Sequence, residues 1–321
     1  MSAAYALRRL AQAAVTMVGI VLVTFVLVQM APGDAADALG GEARPEYVTQ
    51  LRADLRLDRP LPEQLAAYGT RVLRGDLGNS FSQPDRSVTG LIGEYLPNTL
   101  LLMSTAVVFS SALGVALAVR AAKRPGGALD SITGLAALVG FAIPGFWLGQ
   151  MAILLLALRL GLFPIGGKTD LRTDYTGFDH IVDVGIHLSL PVLVLAAGEV
   201  AMVFRITRVA VVRERQKDYI RTALAKGVPD ERVLSEHALR NALLPLVTVL
   251  GARVGFLFSG AVLVERLFAW PGMGTLLVNS AQLRDRPVVL GIVVLASLAL
   301  VATTFFTDMI YALIDPRICY D

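Results

Sequence analysis

Long apolar stretches alternate with shorter polar ones along this chain. Six of them are long enough to cross a bilayer, which takes about 20 helical residues: residues 10–31, 98–120, 131–160, 186–212, 242–267 and 288–313. Helix is the expected form, because a helix satisfies its own backbone hydrogen bonds in hydrocarbon. The third stretch is longer than one crossing needs, and Pro144-Gly145 near its middle predicts a tilt or a break. Residues 32–97, between the first two stretches, are too long for a turn. Tyr47, Leu51 and Leu55 recur four apart there, as do Leu61 and Leu65, which predicts short amphipathic helices. This segment reads as a packed cap over a pore mouth, as a contact surface for an external partner, or as both. The expected plan is all-α with three parts. Residues 1–31 form a cytoplasmic N-terminus and first membrane helix, and residues 32–97 an extracytoplasmic segment. Residues 98–321 form a five-helix core that carries a cytoplasmic loop at 213–241.

Composition agrees with a membrane class. Of 321 residues 55% are apolar and 17% charged, against about 25% charged in soluble domains. The net charge of +3 does not signal nucleic acid, since the basic residues flank apolar spans instead of lining a soluble face. Their distribution orients the chain. Arg8 and Arg9 precede the first stretch; Arg120, Lys123 and Arg124 follow the second; residues 205–240 hold nine Lys or Arg against five acids. Residues 32–97 hold seven Arg against ten acids, and the loop after the third stretch is net acidic. Both termini are therefore expected in the cytoplasm. The first stretch, at about 22 residues, is too long for the h-region of a secretory signal and ends without a small-x-small site, so it reads as an uncleaved span. The single cysteine, Cys319, has no partner for an internal disulfide, and the sequence shows no Cys/His metal cluster.

One charged stretch lies between two apolar ones: DYIRTALAKGVPDERVLSEHALRNALLP, residues 218–245. Residues 215–226 have helix-forming composition. Gly227 stands where a helix ends, because glycine enters the left-handed conformation without strain. Pro229 suits the first turn of a second helix, and Asp230 and Glu231 suit its positive end. Val233, Leu234, Ala238 and Leu239 give that helix a partly apolar face. A basic hairpin lying on anionic lipid is one reading. Mixed charge with a small apolar face fits a groove on a soluble protein better.

These residues also carry a resemblance. The run from Thr222 to Gly227, followed by a helix and Leu244-Pro245, resembles the cytoplasmic loop of ABC importer permeases. Arg221 and Thr222 stand where Glu and Ala are usual, and the gap from Gly227 to Pro245 is longer; both features are similar to the oligopeptide/dipeptide subfamily. FVLVQMAPGD (residues 25–34), LRLDRPLPEQLAAYGTRVLRGDLGNSF (residues 55–81), VERLFAWPGMG (residues 264–274) and DMIYALIDPRICY (residues 308–320) resemble further blocks of that subfamily. Arg56 replaces an expected glycine, and Thr303 and Thr304 lie where an Asn is usual. The short N-terminus and long first external loop resemble the B-type permease subunit. The resemblance implies a type I ABC importer permease fold with six transmembrane helices in a bacterial cytoplasmic membrane. It implies a homologous second permease, two cytoplasmic ATPases and an extracytoplasmic substrate-binding protein as partners, besides membrane lipid. ATP and Mg would bind the ATPases, with no cofactor, metal or catalytic site on this chain. The coupling contact would be made by Ala223, Ala225, Lys226, Gly227, Val228, Pro229, Val233, Leu234, His237 and Arg240. Di- and oligopeptides are the expected cargo.

Two ionisable residues lie inside expected spans, where a charge costs about 2.5–3.5 kcal/mol on insertion scales. Glu199 and Arg253 both fall roughly 15 Å from the inner surface by helical rise, on adjacent antiparallel spans. They are expected to pair, either as a structural ion pair or as part of a pathway or gate. A different function class, an ion-coupled secondary transporter using Glu199, would be independent of ATP. The stretch GLFPIGGKT, residues 161–169, approaches a phosphate loop, but it has one residue too many and no preceding strand, and it is expected outside. In FAWPGMG, residues 268–274, Pro271-Gly272 predicts a turn. Phe268 and Trp270 read as interfacial anchors or as lining of an outer vestibule.

Overall fold

The computed structural model describes residues 3–30, 59–83, 85–243, 245, 246, 249 and 261–314. Tyr47, Leu51, Leu55, Arg56, Arg253 and Cys319 lie outside these residues. The described residues are helical, with one isolated bridge between Asn79 and Ser87 and no extended strand. Among them four helices are long and apolar enough to cross a membrane, or five if a bent pair counts as one span. About half of the expected stretch 242–267 falls on residues outside the described set. The chain divides into two compact units, Met1–Asn98 with Gly272–Asp321, and Thr99–Pro271. By this division the C-terminal residues group with the N-terminal unit instead of with the core.

The first unit is built on α1 (Ala3–Met30). Val15, Val18, Val23 and Leu27 leave apolar surface exposed along it, as a lipid-facing helix does. Phe25 is buried, stacked on Tyr68 with ring centroids 5.8 Å apart. Tyr68 belongs to α2 (Leu61–Leu73), where Leu61 and Leu65 had predicted a helix. Prolines at 60 and 62 flank its start, where a missing N–H costs no internal bond, and Glu63 and Arg71 complement the dipole at its two ends. Burial pushes the Tyr68 phenol up to about 12. α3 (Val88–Ala122) begins in this unit; Val88, Leu91 and Ile92 are buried there. α4 (Ala128–Ala142), α5 (Gly145–Ala152) and α6 (Gly177–Glu214) belong to the second unit; α7 (Asp218–Ala225), α8 (Asp230–Arg232) and α9 (Leu239–Ala242) complete it. α10 (Met273–Gln282) and α11 (Arg286–Ile314) return to the first, with α11 packed on α1.

In the second unit the expected break is sharp. α4 and α5 meet at 100° across Ile143 and Pro144. Proline disfavours the α conformation in the residue before it, and Ile143 is extended at φ −78°, ψ 126°. α5 continues into a wider π-type stretch, Ile153–Arg159. α6 packs on α4 and α5. One core cluster gathers Leu102, Leu190, Val194, Phe268 and Trp270. A second, toward the far end of α6, gathers Ala122, Val211, Ile220, Val233, Leu234 and Ala238.

Phe268 and Trp270 are both buried inside the protein, so neither is an interfacial anchor nor a vestibule wall. The reason lies in the near-phosphate-loop sequence. Gly167 N–H donates to the Phe268 carbonyl at 2.8 Å. A Cβ on Gly166 would stand 2.4 Å from that same oxygen. The paired glycines permit close backbone approach, which folds the loop over the 268–270 turn and seals the aromatic rings.

Candidate functional site

The hairpin at 218–245 forms from the signals its sequence carries. α7 ends at Ala225, and Gly227 follows with φ +80°. Gly227 N–H donates to Leu224 O at 2.9 Å and Val228 N–H to Ala223 O at 3.2 Å. This pair of bonds is the Schellman motif, and Ala223 and Val228 both pack against the second cluster. Pro229 caps the next helix, one position before the first turn where it was expected, and α8 starts at Asp230. A π-type stretch, Val233–Ala238, joins α8 to α9. α7 starts at Asp218, three residues later than composition suggested, because residues 215–217 make the bend out of α6.

The apolar face of the second arm turns inward. Val233, Leu234 and Ala238 are buried against Ala122, Val211 and Ile220. Burying side chains the size of valine and leucine stabilises by about 1.5–3 kcal/mol each. Val233 and Leu234 therefore hold the hairpin to this chain's own helix ends. Ala225, Lys226, Gly227, Pro229, His237 and Arg240 are exposed, with Ala223 and Val228 half-buried between. Leu224, which the sequence had not singled out, adds exposed apolar surface at the tip.

A polar brace fixes the hairpin. Arg215 donates to the Ala122 carbonyl at 2.9 Å and to Asp230 at 2.9 Å. Lys123 donates to Glu231 at 2.6 Å, and that bond holds the Glu231 carboxyl below its usual range. Tyr219 donates to Glu214 at 2.6 Å and accepts from Asn241 at 3.0 Å. Burial, with the bond to Glu214, pushes the Tyr219 phenol up. About two turns earlier on α6, Arg208 grips Asp130 with two bonds, and Asp130 also accepts from Gly126 N–H at 2.8 Å. Residue spacing gave no signal for the Arg208–Asp130 pair, whose partners lie on different helices. Arg215 and Lys123 tie the hairpin to the end of α3, Arg208 ties α6 to the start of α4, and Tyr219 ties α7 to the end of α6. The hairpin is thus held to the ends of α3 and α6 by both short bonds and apolar packing.

Two more buried carboxylates escaped the sequence reading. In the second unit Glu265 accepts from the Thr99 hydroxyl at 2.6 Å and is fully buried. In the first unit Asp285 accepts from Phe81 N–H at 3.1 Å, Ser82 N–H at 3.0 Å and the Ser82 hydroxyl at 2.7 Å, with the Ser80 hydroxyl also bound. It anchors residues 80–82 to the start of α11. Glu199 is half-buried on α6; its expected partner Arg253 is outside the described residues. Among the described residues no group of three His, Cys, Asp or Glu could hold a metal.

Four long apolar helices among the described residues, together with a charged hairpin between apolar segments, define a multi-pass membrane protein. The chain matches the family model for the inner membrane component of binding-protein-dependent transport systems over residues 94–320, and the model for the N-terminal region of such components over residues 3–103. It belongs to that family, the permeases of ABC importers. It is 38% identical to the oligopeptide transport system permease protein AppB of Bacillus subtilis, over 99% of this chain and 100% of that protein. It is 38% identical to the dipeptide transport system permease protein DppB of Escherichia coli K12, over 98% of each. The glutathione transport system permease protein GsiC of Pectobacterium atrosepticum is also 38% identical, over 98% of this chain and 99% of that protein.

Proposed function

We propose that this chain carries di- and oligopeptides across a bacterial cytoplasmic membrane as one permease of an ATP-driven importer. A homologous permease would complete the pathway, two cytoplasmic ATPases holding ATP and Mg would drive it, and an extracytoplasmic binding protein would deliver cargo. In this reading the chain crosses six times with both termini inside, and residues 131–160 form one broken crossing. The observation that supports coupling most directly is the brace: beside the tip, residues 223–229, Asp230 and Glu231 are tied by short bonds to Arg215 at the end of α6 and to Lys123 at the end of α3, and Arg215 is bonded to the Ala122 carbonyl. ATPase closure would displace the tip, and the helices would follow toward the outward-open state. Such a switch requires a bistable element and contacts that differ between its states. The peptide cargo rests on the names of the relatives.

The experiment is purification of the chain with its co-expressed partners, followed by peptide uptake in vesicles. Co-purifying ATPases and ATP-dependent uptake of labelled dipeptide are expected. Isolation without an ATPase, or uptake that a proton or sodium gradient drives without ATP, would refute the reading. Glu199 and Arg253 are proposed to pair within the core. Reversal of either should impair transport, and reversal of both should restore part of it; no restoration would reject the pairing.

A further inference from the structure

We infer that α6 and the base of the hairpin form a binding site for an acidic phospholipid. A cavity of about 830 Å³ opens between them, with Arg205, Arg213, Lys217 and Glu214 as its charged groups. Lys217 and Glu214 pair at 2.6 Å and cancel. Arg205 and Arg213 are exposed and form no ion pair or side-chain hydrogen bond among the described residues. Their neighbour Arg208 points to another face of the helix, where Asp130 neutralises it. With three cations and one carboxylate in its lining, the cavity carries a net charge of +2 among the described residues. Eight residues separate Arg205 from Arg213, about 12 Å along the axis by helical rise. Two guanidiniums at that spacing can reach one phosphate from both sides, and guanidinium binds phosphate in a forked geometry.

The rest of the lining selects the source of the phosphate. Phe141, Met202, Ile206 and Val209 share the cavity, and Phe141 and Val209 leave more than half of their surface exposed. A soluble anion would meet the cations and leave this apolar wall wet. A phospholipid satisfies both, with its headgroup on the arginines and its acyl chains along Phe141 and Val209. The site lies where a long apolar helix passes into the polar hairpin, the depth at which headgroups sit. A lipid held there contacts both α6 and the hairpin base through Asn241, Ala242 and Pro245, so its occupancy would bear on the hairpin's position.

The test uses the complete complex in mild detergent, supplied with phosphatidylglycerol and phosphatidylcholine in equal amounts. Native mass spectrometry counts each lipid retained. Preferential retention of phosphatidylglycerol is expected, with R205Q/R213Q weakening it about thirty-fold and each single variant about five-fold. R120Q/R124Q removes exposed cations outside the cavity and should leave retention intact. R205K/R213K keeps the charge and should keep the preference. Equal retention of both lipids overturns the site, as does equal loss in R120Q/R124Q or loss of the preference in an intact R205K/R213K complex. Displacement by millimolar inorganic phosphate would mark a free-anion site and overturn the lipid assignment. So would unchanged phosphatidylglycerol retention in R205Q/R213Q with a raised half-saturating peptide concentration, which would place the cavity on the cargo path.

Discussion

Replacing Gly227 with valine tests the turn on which the proposed coupling role depends. Gly227 has φ +80°, and a Cβ built there meets no heavy atom within 4 Å. The cost is therefore conformational instead of steric crowding by neighbours. Left-handed backbone costs an L-residue roughly 1–2 kcal/mol, and a β-branched residue is at the upper end. The two bonds that define the turn, to Leu224 O and Ala223 O, would lengthen or break. If that strain is relieved by moving the tip, ATPase affinity should fall by about 5- to 30-fold. The assay is retention of the ATPases on the immobilised permease pair during a buffer wash, fitted to a dissociation constant. Gly227→Asn is the control, because Asn enters the left-handed region more readily than most residues; it should retain most of the affinity. Valine and asparagine variants with equal affinity would refute the conformational argument. A valine variant that matches the parent in both affinity and uptake would remove the tip from the coupling path.

Other outcomes follow from the bonds around it. Arg208→Gln leaves the buried Asp130 carboxylate without its charge partner, a change that costs about 3–5 kcal/mol when a buried pair is broken; the melting temperature of the detergent-solubilised complex should drop, and an unchanged value would mean the pair is not formed. Asp285→Asn replaces an acceptor of several hydrogen bonds from Ser80–Ser82 and should destabilise by about 2–3 kcal/mol. Faster protease cleavage within residues 75–83 reads that release, and parental cleavage rates would contradict it. Asp76 is held below the usual carboxylate range by the Arg71 guanidinium and the Gly78 N–H. Its folded value is depressed, so its contribution is present above the unfolded pKa and is lost as pH falls through the folded value. Titration of the Asp76 carboxyl carbon by NMR should show the depressed midpoint, and Arg71→Gln should raise it toward the ordinary range.

Much of this protein is legible in one dimension. Apolar length sets which stretches become membrane helices, since hydrocarbon forces each to satisfy its own backbone. Pro144 marks the broken helix because it acts on the residue beside it. Gly227 and Pro229 mark the hairpin turn for the same reason, as their constraints are local. What the sequence left open depends on residues far apart in the chain. Val233 and Leu234 look like an apolar surface for a partner, yet they pack on Ala122, Val211 and Ile220. An apolar stripe shows that something covers it, without showing what. Gly166 and Gly167 resemble part of a phosphate loop, but the structure gives them to the Phe268 carbonyl. Arg208 and Arg205 are alike as charges three residues apart; only the fold sets one on Asp130 and leaves the other in a cavity. A charge is written in the sequence, but its partner is decided by which helices meet.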